Sequence, residues 1–216
     1  MKNKFIVFAF IASVTACFGD FIVMFILGSF YPGYSQLRDS MSGLGATVSP
    51  VSFEMSAWWV IVGVLLAVFG VGFGLTFAKD NRARIAAWLI VIYGLGEGVG
   101  SGLFPADYID NKLTFIGWVH DAIGGIGIAG IFFLPLVLLP FFKENGNLKL
   151  YKLSIFVFAL GFLFLLLFGI ARLDYFMNSF IASYKGLWQR LLMLNYYIFI
   201  IALAFYMLKN KSKSQV

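Results

Sequence analysis

The stretch YKLSIFVFALGFLFLLLFGIA, residues 151–171, carries one charge, Lys152, next to its start, and no proline. An α-helix needs about 20 consecutive apolar residues to cross the hydrocarbon core of a bilayer. Lipid offers no partners to backbone amides, so a run of this length must pair its own N–H and C=O groups by coiling into a helix. Working outward, five more runs of the same kind occupy about 5–30, 52–78, 84–103, 115–142 and 185–208. The 216 residues are 61% hydrophobic and only 12% charged, against about 25% charged in a soluble domain. Most of the chain therefore cannot face water. The runs leave no room for a separate soluble unit, so the expectation is an all-α polytopic membrane protein. It forms one six-helix transmembrane domain over residues 1–216.

The net charge of +6 would suggest a nucleic-acid partner until the charges are placed. Eleven basic residues collect on one side of the spans: Lys2, Lys4, Lys79, Arg82, Arg84, Lys143, Lys149, Lys152, Lys209, Lys211 and Lys213. Five fall on the other: Arg38, Lys112, Arg172, Lys185 and Arg190. Excess lysine and arginine marks the cytoplasmic face, so the topology reads N-in and C-in, in the cytoplasmic (inner) membrane. The implied partners are membrane lipids rather than nucleic acid. Trp58, Trp59, Trp118 and Trp188 near outer helix ends, with Trp88 near an inner one, match an interfacial aromatic belt. The stretch MKNKFIVFAFIASVTAC has the shape of a lipoprotein signal. However, the apolar run resumes after Asp20 and continues to Leu27, so a retained first span is the expectation. The single cysteine, Cys17, excludes an internal disulfide and multi-cysteine zinc sites.

The connections on the basic side are short. Those on the other side are longer and chemically richer: YPGYSQLRDSMSGLGATVSP (31–50), FPADYIDNK (104–112) and RLDYFMNSFIASYK (172–185). Ser49 before Pro50 reads as the N-cap and first turn of helix two. The segments YPGYSQLRDSMSGLGA (31–46), GLFPAD (102–107) and GLWQR (186–190), with His120, resemble the bacterial and archaeal polytopic membrane proteins grouped as domain of unknown function 998. That resemblance covers nearly the whole chain. It implies a multi-span membrane protein and supplies no reaction.

Five ionisable residues fall inside the spans. Such groups cost at least about 2.5–3.5 kcal/mol at a helix centre and ordinarily face the bundle interior. Glu97 lies roughly 9 Å, His120 and Asp121 roughly 8–9 Å, and Arg190 roughly 8 Å below the outer ends of their helices, with Asp20 deeper at roughly 15 Å. The other half of every helix has no comparable group. Three carboxylates and one guanidinium leave negative charge uncompensated, so such a cluster needs a proton or a bound cation. His120, Asp121, Glu97 and Asp20 are thus the catalytic candidates. Arg190, Gln189, Tyr31, Arg38 and Ser42 are the ligand-binding candidates. An Asp121–Arg190 pair and solvated Arg172–Asp174 and Arg38–Asp39 pairs are the bland alternatives. No metal site or cofactor is expected, because His120 is the sole histidine and cannot build a three-histidine zinc or bis-histidine haem site.

The glycines around Glu97, in YGLGEGVGSGLFPAD (93–107), do not form a phosphate loop, since they sit within an apolar span. Gly94, Gly98 and Gly102 line one face and Gly96 and Gly100 thin another, so helix three can be approached closely on two sides. Those faces serve contacts within one chain or between copies, which leaves a homo-oligomer open. The functional reading is an outer-half pocket that binds or processes a lipid-like or amphiphilic ligand. The alternatives are a proton- or cation-coupled carrier and a non-catalytic assembly subunit.

Overall fold

A computed structural model of the chain describes residues 2–109, 112–176 and 178–211; Lys213 lies outside them. Six long apolar helices are present: α1 Lys2–Ser29, α2 Ser52–Thr76, α3 Asn81–Leu103, α4 Phe115–Glu144, α5 Leu148–Ile170 and α7 Lys185–Lys209. A four-residue α6, Phe180–Ser183, precedes α7. Among the described residues the one β pairing is a two-residue ladder of Tyr108–Ile109 with Lys112–Leu113. The chain is thus an all-α, six-span membrane fold. Helix ends shift by up to three residues from the apolar runs. Helical hydrogen bonding continues past the point where hydropathy drops, into turns carrying Lys2, Lys4, Arg82 and Lys149.

The helices form a closed ring in which α1, α2, α3, α4, α5 and α7 each pack on their neighbours and α7 returns to α1. Large apolar side chains such as Phe8, Phe18, Ile61, Trp88, Trp118, Phe156 and Phe205 point outward. No water-soluble monomer tolerates that much exposed oil. Two tryptophans depart from the expected belt. Trp59 is buried, and Trp188 donates its indole N–H to the Ile181 carbonyl at 2.9 Å. Helix α5 is the least embedded, with 17% of its apolar window buried against 39% to 56% for the others.

α3 is gripped on both sides. A Cβ on Gly98 would stand 2.7 Å from the Gly63 amide nitrogen, and one on Gly94 would stand 3.0 Å from that of Ala67, both on α2. On the opposite side a Cβ on Gly96 would meet the Ile123 carbonyl at 2.8 Å and the Gly127 nitrogen at 2.9 Å, both on α4. Backbone therefore lies against backbone twice. Between these grips, Gly94–Gly100 winds as a wider π-helical turn, which the sequence did not anticipate. Turns of this kind place functional groups in many helices, and this one carries Glu97.

At the basic end the connections are plain caps. Asp80 accepts from the amides of Arg82 and Ala83, and Asn147 accepts from Leu150. Arg82 joins Asp80 to Glu144 across α3 and α4. Helix α2 begins at Ser52 rather than at the Ser49–Pro50 step. The Ser49 hydroxyl instead accepts from the Val51 amide in the turn before it.

At the other end residues 30–51 fold back over the ring as a cap. The Gln36 side-chain amide donates to the Met24 carbonyl, and the Met41 amide donates to Gln189 Oε1 at 2.8 Å. Gly186 and Leu187 amides donate to the carbonyls of Arg38 and Leu37. Thr47 bonds both oxygens of Asp107. Met41 and Leu44, fully buried, sink into the ring. Asp39 spends its carboxylate on the Ser35 amide at 2.7 Å, so the expected Arg38–Asp39 pair does not form.

Candidate functional site

Below the cap, inside the ring, lies a small cavity of about 30 Å³ bounded by Asp20, Trp59, Tyr93, Glu97, Ser101 and His120. At about 10–15 Å³ per water this holds about two. Three of the four catalytic candidates, from α1, α3 and α4, therefore meet in one place.

Their hydrogen bonds leave capacity unused. His120 Nδ1 lies 2.7 Å from the Phe104 carbonyl at the end of α3. A carbonyl only accepts, so Nδ1 carries the proton and a neutral ring presents Nε2 as a lone pair. Glu97 makes no hydrogen bond among the described residues, and its Oε2 packs against Gly124, where a Cβ would stand 2.9 Å away. Asp20, 1% exposed, accepts the Tyr197 hydroxyl at 2.8 Å through Oδ2, while Oδ1 is buried without a partner. Ser101 Oγ is equally buried and unpaired. Buried polar atoms are ordinarily satisfied, so three unsatisfied groups around one void mark a place prepared for something polar.

The void does not end there. Glu97, His120, Gln189 and Met193 also line a chamber of about 220 Å³ between α4, α5 and α7, whose other walls are Gly124, Ile128, Leu165, Phe168 and Leu192. Asp121, Phe168 and Arg172 connect that chamber to a vestibule of about 470 Å³ under the cap, which reaches Tyr31, Thr47, Tyr108 and Lys185. Ser42 lines all three spaces.

Arg190 does not meet its anticipated partner. Arg172, not Arg190, pairs with Asp121, at 2.5 Å, and stands 5.8 Å from the Phe168 ring centroid. Burial works against the Arg172 charge, but the Asp121 carboxylate outweighs it and holds the proton more firmly than usual. The Asp174 side chain is outside the described parts. Arg190, 5% exposed, turns away from the acids toward the cap. It donates to Tyr34 Oη at 2.6 Å and, each at 2.9 Å, to Gln36 Oε1 and the carbonyls of Asp39 and Gly186. Tyr34 donates its own O–H to the Ser40 carbonyl at 2.9 Å, and its phenol is pushed upward by burial despite the adjacent guanidinium. Arg38 is exposed and lines none of the three spaces.

Residues beyond the sequence candidates complete the site. Ser101, Tyr197 and Trp59 were each readable as packing residues, and only Ser101, one turn from Glu97, carried a positional hint.

A ring of six lipid-exposed helices around an internal polar void defines a multi-pass α-helical membrane protein. The chain belongs to the family described as Protein of unknown function (DUF998), whose profile matches residues 14–206. Neither the curated proteins nor the solved structures give a match.

Proposed function

We propose that this chain takes up a lipid-like amphiphile in the chamber and acts on its polar head by proton transfer where the chamber meets the small cavity. The observation that carries this reading is the convergence of Glu97, His120 Nε2 and Ser101 Oγ, all without partners, at the polar end of an apolar-walled chamber. His120 Nε2 serves as the base, held in its tautomer by the Phe104 carbonyl. Glu97 lies on the same cavity wall as proton partner, and Asp20 is oriented by Tyr197. Gln189 and Ser42 contact the ligand where the cavity meets the chamber, and Tyr31 does so in the vestibule. Arg190 and Arg38 contribute by shaping the cap. The basic end faces the cytoplasm of the inner membrane, so the vestibule opens outside.

A carrier reading draws on Asp20, the deepest acid. Below it the ring is closed by Phe69, Phe73, Ile131, Leu134, Leu138, Phe199 and Leu203, all fully buried. Ser13, Thr76 and Ser154, buried in that half, donate to carbonyls of their own helices. Among the described residues no polar path continues toward the basic end, which favours action within one leaflet.

The test is the lipid profile of cells lacking the protein. Re-expressed wild type should restore it, whereas His120→Ala and Glu97→Gln, expressed at equal level, should not. An unchanged profile on deletion, or full restoration by His120→Ala, would refute the reading. Proton or solute flux in liposomes abolished by Asp20→Asn would favour the carrier instead.

A further inference from the structure

The chamber has an opening that neither the cap nor the reacting groups account for. Gly125 on α4 and Gly169 on α5 both line it, both are exposed, and a Cβ on either would meet nothing within 4 Å. The other glycines of α4 that face α3 are blocked by backbone or side chains. Gly125 lies roughly 15 Å along α4 from its capped end, within the apolar span. The gap therefore faces lipid rather than water. It is also flanked by α5, the helix with the smallest buried share.

We infer that a membrane lipid with an anionic head group enters sideways through this window between α4 and α5. Its acyl chain lies along Ile128, Leu165 and Leu192, and its head is received by Arg172 on the chamber wall that also carries His120 and Glu97. This rests on the proposed reading of the chamber and deepens it by naming the ligand class and route. The walls support that division. The chamber is apolar along those three side chains and polar where His120 and Gln189, 7% and 8% exposed, close its inner end. The head-group side offers Arg172 and Lys185 around the vestibule. Arg172 is tied to Asp121, while Lys185 has no acidic partner among the described residues. Asp107, the other vestibule acid, is occupied by Thr47. The four vestibule charges sum to zero, so an anionic head is received by Lys185, whose charge is not tied in an ion pair, and by Arg172 once its pair with Asp121, 39% and 29% exposed on its two side chains, opens.

The experiment reconstitutes the full chain in vesicles of phosphatidylglycerol, or of phosphatidylcholine, each doped with its own analogue bearing a mid-chain diazirine. Adducts are mapped by peptide mass spectrometry after illumination. Wild type should be labelled at Ile128, Leu165 and Leu192, at least five-fold more from phosphatidylglycerol than from phosphatidylcholine. Gly125→Leu with Gly169→Leu should reduce chamber labelling at least ten-fold, with labelling of outward-facing Phe156 and Phe162 unchanged as the check on folding. Arg172→Gln should erase the preference between the two lipids. Chamber adducts absent from wild type, or untouched by the two leucines, would overturn lateral entry. Equal labelling from both lipids would overturn the anionic head. Glu97→Gln separates this from the catalytic reading: it should keep the adducts while losing turnover. If it keeps both, the proton-transfer function falls and the window stands.

Discussion

Replacing Arg190 by methionine keeps an unbranched apolar stem and removes the charge and donors. Four hydrogen bonds disappear: those to Tyr34, Gln36 and the carbonyls of Asp39 and Gly186. Bonds to a charged group are worth about 1.5–3 kcal/mol each, but they are not additive. Three of the four acceptors belong to the cap, which regains water once it lifts, so much of the loss is recovered. The remaining cost is about 1.5–3 kcal/mol, that of one bond to a charged group, because every acceptor left behind is neutral. Because the Met41 amide bonds Gln189, the residue next to Arg190 on α7, the damage should centre on residues 31–50. Equilibrium unfolding in mixed detergent micelles would measure the energy, and limited proteolysis of the cap would locate it. Arg190→Lys should recover less than half, since one ammonium cannot reach acceptors spread around a planar fork. If Arg190→Met unfolds within about 0.5 kcal/mol of wild type, the range of an ordinary surface change, and its cap is cut no faster, Arg190 is not the clamp described.

Three further outcomes are expected in the same unfolding assay. Gly98→Ala, whose Cβ would press on the Gly63 nitrogen at 2.7 Å and the Trp59 carbonyl at 3.1 Å, should cost about 1–3 kcal/mol. Gly125→Ala should be neutral or stabilising by up to about 1 kcal/mol, and equal effects would contradict the packing. Tyr197→Phe leaves Asp20 without a hydrogen bond and should cost about 1–3 kcal/mol; a neutral result means the pair is dispensable. Burial opposes the Asp80 charge, but the amides of Ala83 and Arg82 and the Arg82 guanidinium hold its carboxyl below the ordinary value. Its contribution is therefore present above the unfolded value of about 3.9 and is lost as pH falls through the lower folded one. Asp80→Ala should cost about 1 kcal/mol at pH 7, with the difference closing below about pH 4. A gap independent of pH would exclude this origin.

The six spans were legible because length and hydropathy alone dictate them. Asp20, Glu97 and His120 stood out as ionisable groups retained in oil, and they line one cavity. What failed was azimuth. Counting residues from a helix end gives the depth of Arg190 and Arg172 but not the direction in which each points. Helices apolar all round have no polar face to orient them. Arg190 was therefore offered to Asp121, whereas Arg172, still partly in solvent, is the arginine that reaches it and Arg190 turns to the cap. The cap failed for a related reason. Its contacts with α7, such as Met41 to Gln189, join residues 148 positions apart, which no local pattern encodes.

The π turn at Gly94–Gly100 makes this part of the chain intolerant of changes in length. A π turn amounts to an α-helix with one residue too many, so removing a single residue there would let the coil relax to its ordinary winding. Everything downstream in α3 would then swing by about 100°. Ser101 would leave the cavity, and the Phe104 carbonyl would no longer orient His120. When relatives are aligned, a one-residue gap in this segment should therefore identify proteins whose cavity has been rebuilt, even where every polar side chain is retained.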